Sequence, residues 1–513
     1  MTQPPPPPTR RQFAILILIL AVAAFVRFYR IGTPSLWSDE LWSIEMAMGH
    51  GSVHDAFPDG VVRVDQPIPT NLASAAPWWD IWTHIRVITH PPLYYIVLRW
   101  WMNLFGSAPA ATRFLSAIFS LAAVAVFFDV CRLLHGPRAA LIASSILALA
   151  IGQIDIAQES RSYALLILQE IAACDVIVRI TILGASRSRI ALLAFLLSAM
   201  FLTHYLSVGV LAALAILAII RLRGRDRRLT VAAFAAAAVL VIAAWGYGFW
   251  DQLRTIPFSD PTYFHEIFPH HLANSFRGII RLPLQYLCGE DLGQRLPLWA
   301  HGLAALFVAI LILRGFCRRD LLLWSLLFTS VIAFVAAIDL IRDSTLLQYS
   351  RYTILAAPAL CAILANIDWP KNRSLISLAV AASLAILAAV ETLRPPPPRQ
   401  DFQQLAQIID THAVPDELLV FYNQSDWLSP GMWYIGYKYY SPSSGHPWMT
   451  LRHPPDPQLL RQLQTRQTLW LIGRTPEIFG PVIFPGWQPI NIWHTTAGGV
   501  CLLRNTTPRD SVR

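Results

Sequence analysis

Charge is what this chain has least of. Only 14% of its 513 residues are Asp, Glu, Lys or Arg, whereas 55% are hydrophobic and mean hydropathy is +0.47. A soluble fold of this size carries far more charge on its surface, so a soluble enzyme is excluded. Cysteine is sparse as well. The six residues form no CxxC pair, which argues against a thiolate metal site and against a disulfide framework. Cys131, Cys174 and Cys361 fall in or beside apolar runs and read as packing residues. There is no HExxH and no internal repeat beyond the serial apolar runs, and the stretch after residue 394 holds no phosphate-binding glycine loop. Net charge is +9, but the arginines cluster between apolar runs. That is the positive-inside pattern of a membrane protein and not a nucleic-acid footprint.

What the chain has is apolar runs over most of its length, so the fold class is mainly α, a polytopic helical membrane bundle. Residues 1–11 are Pro-rich, end in Arg10-Arg11 and read as a cytoplasmic tail. Ala21-Val22-Ala23 mimics a signal-cleavage site, yet the apolar run continues through Phe25 and Val26, so an uncleaved first span is expected. It runs outward and ends near Ile31.

Topology turns on the segment after His90-Pro91-Pro92. It holds only about fifteen residues against roughly twenty for a comfortable span, and it carries Arg99 and Trp100-Trp101. Laid flat at the interface, it puts Arg132 and Arg138, Arg187 and Arg189, the Arg221–Arg228 cluster, Arg314 with Arg318 and Arg319, and Lys371 with Arg373 all inside. The expected count is then about eleven spans. They lie near 13–31, 111–134, 138–154, 162–183, 189–203, 205–220, 229–249, 298–313, 320–340, 352–368 and 374–392. The membrane domain covers 12–393, with a first outer loop at 32–110 bearing interfacial helices and a second at 250–297. After Pro395–Pro398, a stiff break, residues 394–513 read as a small α/β domain on the outer face. In it, 402–409, 431–440 and 457–463 have helical spacing, 417–422 and 468–473 resemble buried strands, and 491–494 with 499–504 suggest a closing hairpin.

The unusual residues gather on the outer side. Leu36-Trp37-Ser38-Asp39-Glu40-Leu41-Trp42 places two acids between tryptophans directly after the first span. Such acids are costly there unless solvated, paired or used, and the bland alternative is a helix capped by Ser38 with both acids in its first turn. Gln158-Glu159-Ser160-Arg161-Ser162-Tyr163 is the second cluster, with Asp155 one turn earlier. If helical, Glu159 and Tyr163 share a face, and Glu159 with Arg161 also reads as a local ion pair. Arg161 and, in Gln348-Tyr349-Ser350-Arg351-Tyr352, Arg351 are guanidiniums suited to a lipid phosphate, or are plain boundary anchors. His204 in Thr203-His204-Tyr205 reads as a ligand, an acid or a boundary residue, and His90 as a binding residue or the start of an extended Pro turn. Asp129, Glu170 and Asp175 are the acids well inside apolar runs, which bears on a rival reading, a lipid or solute transporter.

Taken in order, these motifs resemble the polyprenyl-phosphate-dependent glycosyltransferases of the GT-C superfamily, in the branch of protein O-mannosyltransferases and aminoarabinose transferases. The likeness covers residues 10–392. It implies sugar transfer from a polyprenyl-phosphate donor to a glycan, lipid or protein acceptor at the outer face of the cytoplasmic membrane. It further implies Asp39 as catalytic base with Glu40 beside it, and inversion at the sugar carbon. Asp155 and Glu159 are both open for the second acidic position. Arg161 would meet the donor phosphate, with His90, Tyr163, His204, Arg351 and Tyr352 as further binding residues. No cofactor is implied, and help from a divalent cation is left open.

Overall fold

The structure is a computed structural model, and residues 7–85, 90–255, 270–367, 375–394, 399–424, 428–474 and 483–506 are described. The Lys371–Arg373 loop and the Pro395–Pro398 break lie outside them. The chain forms two compact units: Met1–Ile31, Arg86–Tyr94 and Thr112–Pro395 make the first, and Gly32–Ile85, Tyr95–Ala111 and Pro396–Arg513 the second.

Among the described residues, six helices are long and apolar enough to cross a membrane: Arg10–Phe28, Pro109–His135, Gly224–Thr255, Leu298–Cys317, Leu322–Arg342 and Leu375–Leu393. The span expected at 138–154 is instead a pair, Pro137–Leu149 and Ile151–Ala157, bent by 60°. Arg27, fully buried in the first helix, helps hold that bend. Its guanidinium donates to Ala148 O at 2.8 Å, one of the last carbonyls before the break, and to Ser120 Oγ at 2.9 Å. The other expected spans are helices too short or too polar to meet the same test. Arg187–Thr203, Ser207–Arg221 and Ser350–Ala365 are short, and Tyr163–Leu183 carries Glu170, Asp175 and Arg179. A helix stands where a loop was expected, His270–Cys288, with Pro283 inside it. A single apolar core joins most of these helices, with Phe127, Leu166, Val210, Trp324 and Leu360 among its fully enclosed side chains.

The second unit is built on a five-stranded sheet. Its strands are β1 (Leu418–Tyr422), β2 (Trp448–Leu451), β3 (Thr468–Gly473), β4 (Trp487–Thr495) and β5 (Gly498–Asn505), in the order β2-β1-β3-β5-β4. β1 is parallel to β2 and β3, and β3, β5 and β4 run antiparallel. The chain leaves β1 for β2 through helix Gly431–Tyr440 and returns past β1 to β3 through helix Pro457–Gln464. Right-handed crossovers in opposite directions put those helices on opposite faces. The contacts agree: Leu418, Val420 and Tyr422 pack with Leu463, while Phe421 meets Tyr434 and Tyr437. β1 is therefore buried on both faces, which is why it reads as a continuous apolar run. The expected helices, two strands and hairpin are all present, and β2 is the strand the sequence reading missed. Residues 59–63 cover the edge at β2. Arg63 N and O bond Trp448 at 2.8 and 2.9 Å, and Gly60 N bonds Thr450 O at 2.9 Å.

Candidate active site

In the second unit, Asp39 lies in the first turn of helix Ser38–Ala47. The cap differs from the Ser38 expected. The N-cap is Trp37, and Glu40 Oε2 reaches back to accept from Trp37 N–H at 3.3 Å. Glu40 is fully buried in that task, whereas Asp39 is half-buried. The sequence placed the acids correctly and misplaced the cap because a Glu at the third helical position can close the turn itself. The far end of the helix is tied by Arg99, whose Nη1 donates to Ala47 O at 3.2 Å. Glu45, on the same helix, holds His54 with 2.6 Å between Oε2 and Nδ1 and accepts His54 N–H at 3.0 Å. Burial pulls the His54 imidazole down, but the Glu45 charge and hydrogen bond outweigh it, so its pKa is raised. This buried pair ties residues 51–57 to the Asp39 helix and had no signal in the sequence beyond its polar letters.

In the first unit, Arg161 sits in a turn and not on a helix. Helix Ile151–Ala157 ends before it and Tyr163–Leu183 begins after it, so Glu159 and Tyr163 do not share a helical face. The serines flanking Arg161 favour such local turns over continued helix. Glu159 and Arg161 are both buried, which removes the exposed boundary pair as an account of them. The turn is clamped on two sides. Gln158 Nε2 donates to the carbonyls of Val26 and Arg27 at 3.0 and 3.2 Å, and Ser116 Oγ donates to Arg161 O at 3.4 Å. Asp155, half-buried, faces Gly289. That glycine has φ +81°, and a Cβ there would come within 2.9 Å of Asp155 Oδ2 and 2.7 Å of Ile151 Cγ2.

Three other expected residues gather near Arg161. The His90 and His204 rings meet edge to face at 5.0 Å, and Tyr163 stacks on His204 at 5.6 Å. Burial first, and then the Arg161 charge, push the His204 pKa down to about 3, so the imidazole is neutral. Its Nδ1 accepts from Leu206 N–H at 3.2 Å. The ring proton therefore stands on Nε2, which is buried with no hydrogen-bond partner among the described residues. Behind His90 runs a chain the sequence reading did not assign. Trp245 Nε1–H donates to Tyr205 Oη, Tyr205 donates to Gln252 Oε1, and Gln252 Nε2 donates to His90 O at 3.1 Å. Trp245 and Gln252 are seven residues apart on one helix, spacing that places both on one face.

Arg351 lies over the rings of Tyr349 and Tyr352 at 5.5 and 5.9 Å. The turn before it hangs on Asp339, whose carboxylate accepts from Ser275 Oγ, Ser344 Oγ, Leu346 N and Leu347 N at 2.7–3.1 Å. Of the acids in apolar runs, Asp129 and Asp175 are spent on Arg132 and Arg179, and the Arg179–Asp129 pair ties two helices together. Among the described residues, no group of three or more His, Cys, Asp or Glu side chains is placed to hold a metal ion.

Residues 89–248 match the family model described as dolichyl-phosphate-mannose-protein mannosyltransferase. No curated protein matches the chain. Among solved structures, the chain is similar to ArnT from Cupriavidus metallidurans at 14% identity, covering 96% of this chain and 98% of that one, with a TM-score of 0.46. It is similar to the Archaeoglobus fulgidus oligosaccharyltransferase at 12% identity, 89% and 67% coverage and a TM-score of 0.46. A third is the Saccharomyces cerevisiae Pmt1–Pmt2 complex bound to its sugar donor, at 14% identity, 53% and 37% coverage and a TM-score of 0.35. The family likeness is confined to residues 89–248, less than half of the chain.

Proposed function

We propose that this enzyme moves a sugar from a polyprenyl phosphate to an acceptor hydroxyl at the outer face of the cytoplasmic membrane, with inversion at the anomeric carbon. Two sets of residues carry the reaction. Arg161, His90, His204 and Tyr163 bind the donor, with Arg351 and Tyr352 as further contacts to its head group. Asp39 takes the proton of the attacking hydroxyl. The observation that carries the reading is the buried Arg161 guanidinium beside a neutral His204 whose Nε2–H has no partner in the described chain. A charged fork and a neutral N–H donor suit a phosphate that gains charge as the sugar leaves. A polyprenyl phosphate is already a good leaving group, so no nucleotide site is required. One carboxylate on the acceptor side completes the chemistry. Asp155 or Glu159 supplies the second acidic residue.

The function is tested with membrane vesicles from cells lacking the gene, loaded with this chain and given polyprenyl-phosphate lipids extracted from the source cells. The glycan that mass spectrometry finds missing from deleted cells should reappear in the vesicles. No difference between the envelope glycans of intact and deleted cells would overturn the reading.

Orientation is a separate expectation. The arginine clusters put Arg225 inside and Gly445 outside, and both positions are exposed. In a Cys317→Ser background, an impermeant thiol reagent applied to intact cells should label Gly445→Cys and spare Arg225→Cys. The reverse pattern would put the proposed site on the wrong side of the membrane.

A further inference from the structure

The sheet-bearing part of the second unit holds the start of the Asp39 helix residue by residue. Leu36 N–H donates to Tyr440 Oη at 2.7 Å, and Ser35 Oγ lies 3.4 Å from the same hydroxyl. Ser38 N–H, one of the orphan donors at the head of the helix, donates to Gln400 Oε1 at 2.7 Å. Gln403 N–H donates to Ser35 Oγ at 3.3 Å, and the Arg399 guanidinium lies 4.9 Å from the Trp37 ring centre. Tyr440 is itself fixed, because it ends helix Gly431–Tyr440 and its neighbour Tyr439 donates to Ser107 O at 2.6 Å. Four successive residues, Ser35 to Ser38, are therefore positioned from residues 399–440, and the next residue is Asp39.

We propose that Tyr440 and Gln400 are positioning residues for Asp39, and that residues 399–440 serve catalysis by fixing the direction in which the Asp39 carboxylate leaves the helix. The inference rests on Asp39 being the base. Neither side chain need touch substrate. Tyr440 sets the height of the chain at Leu36, and Gln400 closes the first helical turn at Ser38. Without either, the turn frays and Asp39 samples several directions. A displacement of about 1 Å in a reacting group can cost about a hundredfold in rate.

The test uses the full chain in the same vesicles, with initial rates measured across a range of extracted polyprenyl-phosphate lipid. Tyr440→Phe and Gln400→Ala should each lower apparent kcat by about tenfold or more while leaving apparent KM for the lipid within about twofold. Gln400→Glu keeps an oxygen acceptor for Ser38 N–H and should recover most of the rate, which a packing role alone would not require. In an Asp39→Asn background, Tyr440→Phe should cause no further loss, because the group it orients is gone. Unchanged kcat in both Tyr440→Phe and Gln400→Ala would overturn the proposal. So would a loss of equal size in the Asp39→Asn background. A near-parental Asp39→Asn overturns the base assignment itself, whereas a slow Asp39→Asn with a fast Tyr440→Phe overturns the positioning alone.

Discussion

Asp39→Asn should be made and inserted normally, bind the lipid donor as the parent does, and transfer sugar at no more than about a hundredth of the parent rate. The helix explains why the substitution is clean. Asp39 does not provide the cap, since Glu40 reaches back to Trp37 N–H and Gln400 takes Ser38 N–H. Asn has the same size and keeps hydrogen-bonding capacity, so the turn should survive. It cannot accept the hydroxyl proton, and losing a general base typically costs about 10²–10⁴-fold. Glu40→Gln makes the contrasting case. A glutamine oxygen can still accept from Trp37 N–H, so the change should be far milder than Asp39→Asn. Had Glu40 been the base, the order would reverse. Initial transfer rates in the vesicles decide between them, with amounts of inserted protein matched by immunoblot. Near-normal transfer by Asp39→Asn would leave this stretch as a structural turn and move the search for a base to Asp155 or Glu159.

Much of this was legible because the membrane leaves few choices. A helix that must satisfy every backbone group internally writes a long apolar run, and Pro109–His135 and Leu322–Arg342 are such runs. Strand β1 was legible for the related reason that both its faces are covered. What escaped the sequence depends on distant partners. The helix His270–Cys288 is amphipathic and polar at its start, so it read as a loop. Its place is set by Tyr286 Oη donating to Thr353 O at 2.9 Å and by Gly278, where a Cβ would fall 2.3 Å from Leu347 O. The bend after Leu149 depends on Arg27, more than a hundred positions earlier. Tyr440 and Leu36 stand 404 residues apart, and nothing local in either segment announces the other.

The proposed site residues divide along the same line. Arg161, His204 and Asp39 were visible as polar letters at the ends of apolar runs, where chemistry-bearing groups are expensive and conspicuous. Their supports were not visible: Gln252 looked like the polar tail of a span read as ending at 249, and it holds the carbonyl of His90. Gln158 stood inside the quoted motif without a role, and it ties the Arg161 turn to the end of the first helix. Neutral amides and phenols carry these supports, and such groups leave no charge pattern for a sequence reading to follow.

Arg161→Ala should weaken binding of undecaprenyl phosphate, used alone as the probe, by about 10- to 100-fold, the range expected for losing charge-assisted hydrogen bonds. Arg161→Lys should lose less, since it keeps a charge while giving up the planar fork that matches a phosphate. The order matters more than either value. The turn is clamped through Gln158 and through the backbone carbonyl of Arg161, so removing the side chain leaves both clamps in place and should not displace Glu159 or Tyr163. His204 supplies an internal check. Its imidazole is pushed down partly by the Arg161 charge, so Arg161→Ala should raise the His204 pKa while Arg161→Lys leaves it low. Titration of undecaprenyl phosphate into detergent-solubilised parent and variants reads the binding, and proton NMR of imidazole-labelled protein reads the histidine. Equal binding by all three proteins would make Arg161 a buried structural cation, and the phosphate site would have to be sought at Arg351.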